Sequence, residues 1–496
     1  MESTLAGHQT ILVRDIDAAL ERHPFGNSGY ITDQMQISYR RRLERLSAKV
    51  PSAGRLLDAI LPREPYEQYR ILGDTTVRCA AQHAQVQVET GERYGLSMET
   101  CERIFTEAIR ALDDSQVSPL NRKLTDRLGE GPRDGWIWNE GCVADPFGKV
   151  LADLLQDEFG GVRPCSPDEG EMATLIKGVR LLKQLLPRSS GSALSHTHIV
   201  AIFPSAGLWR TRMSSSDFRL SGTVFLGRRV VGNPWLVAEH LYHEALHQQF
   251  YDFRAGHLLL KPDFVRKDAP LIHSPWNRPD VTRNSYWDVH RALAAFHVYV
   301  HLALLCVAVE QNAALTDEFG PVVMVGPRTA VARAHYLSEQ IRKVAWDELG
   351  PAGQKFLEWF EAILDILNPS PPAPGADVHL LLDRYWHEAT HLRTLAGDRY
   401  ESAKGLMLAL AEDEAQSARD VLAAIDHDMS AFDQAMVELS RQEPNERFIS
   451  ARWLIARTIL EATPDDYRLS KSGIADGLVR QMVERSSKAL QPVLDG

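Results

Sequence analysis

The sequence predicts an α+β fold that is predominantly helical, with a small sheet beside one helix that carries a metal-type motif and with helical regions on either side. Three observations predict it. Apolar residues recur at helical spacing through most of the chain; two short apolar runs bounded by Ser, Gly and Pro read as strands; and both runs come just before the stretch NPWLVAEHLYHEALHQQFYDF. The 496 residues can bury a large core. The expected organisation is an N-terminal helical region over 1–160, a metal-binding core over 161–320 and a C-terminal helical region over 321–496, or one continuous assembly of the three.

Composition narrows the classes. At 44% hydrophobic and 24% charged residues, the chain reads as soluble and globular. A net charge of -11, with Lys and Arg scattered, argues against a nucleic-acid partner and is compatible with a short basic peptide. Five cysteines (Cys79, Cys101, Cys142, Cys165, Cys306) form no CxxC pair, which points away from a disulfide framework and toward a reducing cytoplasm. The N-terminus has no basic start followed by an apolar run, so no secretory signal is expected. Val289 to Val309 has membrane-like length, yet His290, Arg291, His297 and His301 favour a buried helix over a membrane span.

In chain order, residues up to about 130 read as helices separated by turns such as PFGNSGY. The RRRLER run within Ile37 to Val50 is expected to be a solvated helix face. Gly129 to Gly148, rich in Gly and Pro, reads as irregular. An amphipathic helix from Asp168 carries Met172, Leu175, Ile176, Val179, Leu182 and Leu186 and stops at Pro187. HTHIVAIFP and Ser221 to Gly227 read as strands. After the metal-type helix, a Pro- and Asn-rich loop runs to Asn284, and a long apolar helix is expected from near Ser285. Helices over Ala330 to Leu349 and Gly353 to Leu367, the break NPSPPAPGAD and further helices complete the chain, with no internal repeat of useful length.

The chemistry centres on His243-Glu244-Ala245-Leu246-His247. Residues four apart on a helix lie about 40° apart around the axis and one turn apart along it, so both imidazoles can aim at one divalent ion. Glu244 can reach a metal-bound water or another ligand's partner, as at catalytic HExxH sites. Asn233 suits the cap of this helix and Pro234 its first turn. Strand, short loop and metal-type helix in this order are compatible with a zincin-like core whose strand edge could receive an extended peptide.

The third ligand must come from elsewhere, because Phe250 and Phe253 stand where a metzincin would have Gly and His. His290, His297 and His301 share one face of the following helix, but about 16 Å of rise separates the first from the last. His290, at the loop end, is the expected ligand. His297 and His301 read as core histidines, with a competing metal pair as the alternative. A second match, His387-Glu388-Ala389-Thr390-His391, lies in more polar surroundings without a nearby strand, and is expected not to bind metal.

Taken together, Ser214 to Ser216 as SxS, the Gly-led strand Gly222 to Gly227, HExxH and the block Ser274-Pro275-Trp276…Arg283…His290 resemble the HExxH-motif peptide-modification family. In that family an Arg-Pro precedes Gly-x-x-His; here Asn284 replaces the Pro and Trp287 the Gly, while the Arg-to-His separation is kept. The match covers roughly Leu175 to Val309. The resemblance implies an Fe(II)- and 2-oxoglutarate-dependent hydroxylase that uses O2 on the β-carbon of a peptide or amino acid, as in natural-product biosynthesis from ribosomal precursor peptides or carrier-tethered amino acids. It implies His243, His247 and His290 as metal ligands, and Arg283, with Arg278 next, as the clamp for the distal carboxylate of 2-oxoglutarate. Ser214 and Ser216 join them as co-substrate contacts, and Glu244 takes a supporting catalytic role. Two other readings compete: a metallopeptidase in which Glu244 activates water on Zn(II), and a non-enzymatic helical binding protein with a structural metal.

Overall fold

Helix-forming residues at 3.6-residue spacing dominate the sequence, and in a computed structural model helices dominate the chain. The structure describes residues 2–92, 95–113, 124, 126–129, 134–210, 212–277, 285–324, 327–368, 377–392, 398–442, 444–463 and 468–495. The chain divides into two compact units, one of Met1–Leu259 with His301–Val325 and the other of Leu260–Val300 with Gly326–Gly496. The boundary expected near residue 160 therefore falls inside the first unit, and that near 320 falls close to the end of its second segment.

The first unit begins with α1 (Glu2–Arg22), α2 (Ser28–Ser47), α3 (Pro51–Ile60), α4 (Pro65–Leu72), α5 (Thr75–Thr90) and α6 (Met98–Asp113). Short polar side chains start α2 and α5: Asn27 accepts from Tyr30 N, and Asp74 accepts from Thr76 N and Val77 N, which satisfies N–H groups that the first turn leaves open. Next come β1 (Trp136–Ile137), α7 (Pro146–Glu158), α8 (Glu169–Leu185), α9 (Ser189–Leu194), β2 (Ile199–Phe203), β3 (Ser214–Ser216), β4 (Thr223–Gly227) and α10 (Pro234–Gly256). An Asp168/Glu171 capping box opens α8 where the sequence placed its start.

The sheet has the order β1-β2-β4-β3. β2 runs parallel to β1 and β4, and β3 closes one edge antiparallel to β4, with Ser214 opposite Leu226 and Ser216 opposite Val224. β2 and β4 are buried at every position, which explains their continuous apolar runs. Phe159, Phe203, Trp209 and Phe225 pack on this sheet, with Phe203 stacked on Trp209 at 4.5 Å between ring centres. β1 corrects the expectation of an irregular Gly129 to Gly148: Trp136 and Ile137 are drawn into the sheet by pairing with Ile199 and Val200.

In the second unit β5 (Ile272–His273) pairs antiparallel with β6 (Tyr286–Trp287). That pairing delays the apolar helix expected from Ser285. It starts instead as α11 (Val289–Gln311), where Asp288 accepts from Arg291 N at 2.9 Å as a cap. α11 is long and apolar enough to cross a membrane, but 89% of its apolar window is buried inside the protein. Its C-terminal half belongs to the first unit, followed there by α12 (Leu315–Phe319). The second unit continues with α13 (Pro327–Ala345), α14 (Pro351–Leu367), α15 (Val378–Leu392), α16 (Asp398–Ala424), α17 (Ser430–Leu439), α18 (Pro444–Ala462) and α19 (Ile474–Asp495). Residues 369–376 of the Pro-rich break lie outside the described residues. The five cysteines are free thiols.

Candidate metal centre

α10 is built where its sequence places it. Asn233 accepts from Trp235 N and Leu236 N, Pro234 occupies the first turn, and Trp235, Val237, Leu241, Leu246 and Phe250 are buried. The helix packs against α2, α8, β3 and β4. On it His243, Glu244 and His247 each offer a ligand atom, and these atoms lie within 4.8 Å of one another. The two imidazole centres are 5.1 Å apart with the rings at 62°. Two imidazoles and one carboxylate form a donor set that fits a divalent first-row ion such as Zn(II) or Fe(II).

Glu244 is tied to the sheet edge. Its Oε1 accepts from the Ser214 hydroxyl at 2.7 Å, and Ser214 Oγ also lies 3.0 Å from His240 Nδ1. A hydroxyl has one proton, so with that proton on Glu244 the contact to His240 requires Nδ1–H to donate to Ser214. A directional chain results, from His240 through Ser214 to Glu244. Burial pushes the Glu244 carboxyl up to about 7, against the opposing influence of hydrogen bonds from Ser216 and Ser214 and the charge of Arg212. Burial, and then the neighbouring His243, lower His240 to about 3, so it stays neutral. Tyr251 stacks on His247 with 18° between the rings and hydrogen-bonds Ser216. The serine pair, expected among the co-substrate contacts, thus has a role that the motif did not assign: it positions the glutamate.

His290 is half-buried at the start of α11, in the second unit, with its ring 6.1 Å from that of Phe264. Arg278, Arg283 and Asn284 lie outside the described residues. His297 and His301 are both buried as core histidines; His297 packs against Phe356 and Phe360, and His301 lies against Tyr242. In the second HExxH motif His387 points outward, 56% exposed and 3.3 Å from Asp383. Glu388 turns inward toward Arg452 at 3.4 Å and Arg384 at 3.9 Å. His391 has no described side chain, and among the described residues this motif forms no metal-type cluster.

Sequence reasoning missed His240, Tyr251 and Arg212. The first two carried a signal: His240 stands four residues before Glu244 and Tyr251 four after His247, so each shares a helix face with a member of the motif. Arg212 acts from two residues before β3, and nothing local marks it. The chain matches no protein-family model and no curated protein.

Proposed function

We propose that the chain is an Fe(II)- and 2-oxoglutarate-dependent hydroxylase that acts on the β-carbon of a peptide or amino-acid residue. The observation that carries this reading is the binding of Glu244 by Ser214 and Ser216 beside the histidine pair. In a peptidase the glutamate must take a proton from water and hand it on, which needs a carboxylate open to both partners. A carboxylate anchored by two strand hydroxyls is better suited to holding the ligand geometry. With its co-substrate, iron supplies the oxidant: O2 and 2-oxoglutarate become succinate and CO2 as one C–H becomes C–OH. His243 and His247 would hold the metal. In this reading His290 is the third ligand and Arg283 meets the distal carboxylate of 2-oxoglutarate, with Arg278 next in line, since a guanidinium can form a forked pair with it. The sheet is read as zincin-like, with the half-buried β3 as the edge strand along which an extended peptide can lie.

The zinc-peptidase reading is favoured by one observation, the elevation of Glu244 to about 7, which suits a general base near neutral pH. Anaerobic loading with Fe(II), followed by measurement of succinate from 2-oxoglutarate on admission of O2, tests the first reading. Peptide cleavage by the Zn(II)-loaded protein tests the second. Glu244→Gln separates them: the hydroxylase should keep measurable turnover, whereas a peptidase that loses its general base should fall by about 10² to 10⁴. Near-total loss in a variant that keeps its metal would overturn the hydroxylase.

A further inference from the structure

The RRRLER face, expected to be solvated, lines a groove. Arg41, Arg42 and Arg45 on α2 and Arg254 on α10 surround a space of about 520 Å³, together with Gln34, Gln85 and the exposed Leu258. No Asp or Glu is among the described residues that line it. Arg41, Arg42 and Arg45 form no ion pair with a carboxylate among the described residues, and the Arg42 Nη1 is a buried donor without an acceptor. Arg41 and Arg45 stand four apart on one helix face, a like-charge pairing that costs stability. Such a concentration of charge in a chain of net charge -11 calls for an anionic occupant.

The groove continues the face of α10 that carries the metal pair. His243, His247, Tyr251 and Arg254 are spaced four, four and three residues apart, which keeps them on one stripe. Ring contacts mark the path: Tyr251 stacks on His247, Phe218 meets Tyr251 at 5.6 Å, and the Arg254 guanidinium lies 4.6 Å from the Phe218 ring centre. Phe218 follows β3 by two residues, so a peptide lying along the β3 edge is led toward Arg254. From His247 to Arg254 the helix rises about 10 Å, which an extended chain spans in about three residues.

We propose that this groove binds acidic side chains of a peptide substrate, at about three to five residues from the modified position. This rests on the peptide-hydroxylase reading for the modified position, not for the binding itself. The overall negative charge suits basic partners, and the groove is the local exception. A nucleic acid fits less well, because it needs a basic track longer than four guanidinium groups and the remaining charge would repel it.

The test uses the intact chain without metal, a short fluorescein-labelled peptide rich in Glu, its Gln counterpart and a single-stranded oligonucleotide of equal charge. Anisotropy should report binding of the Glu peptide that weakens with salt, and much weaker binding of the other two. Arg41→Glu with Arg45→Glu should raise the Kd at least about tenfold. Arg55→Glu with Arg103→Glu, an equal change of net charge at exposed sites outside the groove, should leave it within about twofold. Equal binding of Glu and Gln peptides, indifference to the groove variants or oligonucleotide binding as tight as the peptide's would overturn the proposal. If the Glu peptide binds as expected while Fe(II) and 2-oxoglutarate give no succinate, the groove stands and the hydroxylase falls.

Discussion

Gly178 lies in the interior of α8, where replacement of Gly by Ala ordinarily strengthens a helix by about 1 kcal/mol. Here the expected sign is the opposite. A Cβ at this position would sit 2.4 Å from Val237 Cγ1, 2.5 Å from Val237 Cβ and 2.9 Å from the Pro234 carbonyl oxygen. Carbon atoms pack at about 3.5 to 4.0 Å, so α8 would have to withdraw from α10 by about 1 Å. Val237 is fully buried, and neither its Cβ nor a backbone carbonyl can swing aside. Overpacking of this kind costs about 1 to 3 kcal/mol, and contact with rigid atoms places it at the upper end. Subtracting the helix gain leaves a net loss of about 2 kcal/mol. Amide exchange of peptides covering Pro234–Gly256, measured across a denaturant series, isolates this effect from unfolding of the other unit. Val237→Ala in the same background should recover only part of the loss, because its Cβ and the Pro234 carbonyl remain. Unchanged or increased stability in Gly178→Ala would refute the close approach of these two helices.

Three other outcomes follow from particular contacts. His387→Ala should leave metal stoichiometry unchanged, while His243→Ala with His247→Ala should abolish it by elemental analysis; loss of metal from His387→Ala would mean that the outward-facing histidine is a ligand. Arg452→Met should destabilise the second unit by about 3 to 5 kcal/mol in thermal unfolding, since it leaves Glu414, 2.9 Å away, as an uncompensated buried charge. Burial raises Asp252, but the charge of Arg78 and then the bonds to His196 outweigh it, so its folded value lies below the ordinary 3.8. Its contribution is therefore fully present above pH 3.8 and lost as pH falls through that lower folded value. Asp252→Asn should cost about 3 to 5 kcal/mol near neutrality, with a difference from wild type that shrinks in strong acid; a difference independent of pH would refute the ion pair.

The legible parts of the sequence are those in which local pattern and final environment agree. α10 announces itself through Asn233-Pro234 and a periodic apolar stripe, and β2 and β4 through apolar runs that only a sheet buried on both faces requires. β3 is three serines, without apolar alternation; it becomes a strand because β4 pairs with it and Glu244 takes its hydroxyls. β1 is two residues in a Gly- and Pro-rich stretch, and its pairing partner lies far along the chain. The same distance hides the arginine groove: the α2 run reads as a solvated face until Arg254 of α10 and Leu258, just beyond its end, arrive to line the groove with it. In the second HExxH motif the letters alone are misleading, because Glu388 is committed to buried arginines and His387 to solvent.

α10 buries the polar side chains of Glu239, Glu244, Gln248, Gln249 and Asp252, and its buried polar contacts explain how the His243/His247 pair is held. Gln248 accepts from Gly222 N at 2.7 Å and donates to Thr223 O at 2.8 Å, so its amide docks onto the start of β4 as another strand residue would. Gln249 donates to Ser192 Oγ and to Gly26 O, Tyr242 donates to Ser189 Oγ at 3.0 Å, and Asp252 joins Arg78 to His196. Each bond is directional and buried, so rotating or sliding the helix would leave several groups unsatisfied at about 1 to 3 kcal/mol each. Apolar packing alone would fix the depth of α10 but tolerate small rotations about its axis, and a rotation that moves His243 relative to Ser214 would break the chain to Glu244. The polar contacts of Tyr242, Gln248, Gln249 and Asp252 remove that freedom from the side of the helix opposite the histidines. A metal bound by His243 and His247 would need this restraint, because ligands held to within about 0.5 Å depend on supporting bonds rather than on their own rotamers.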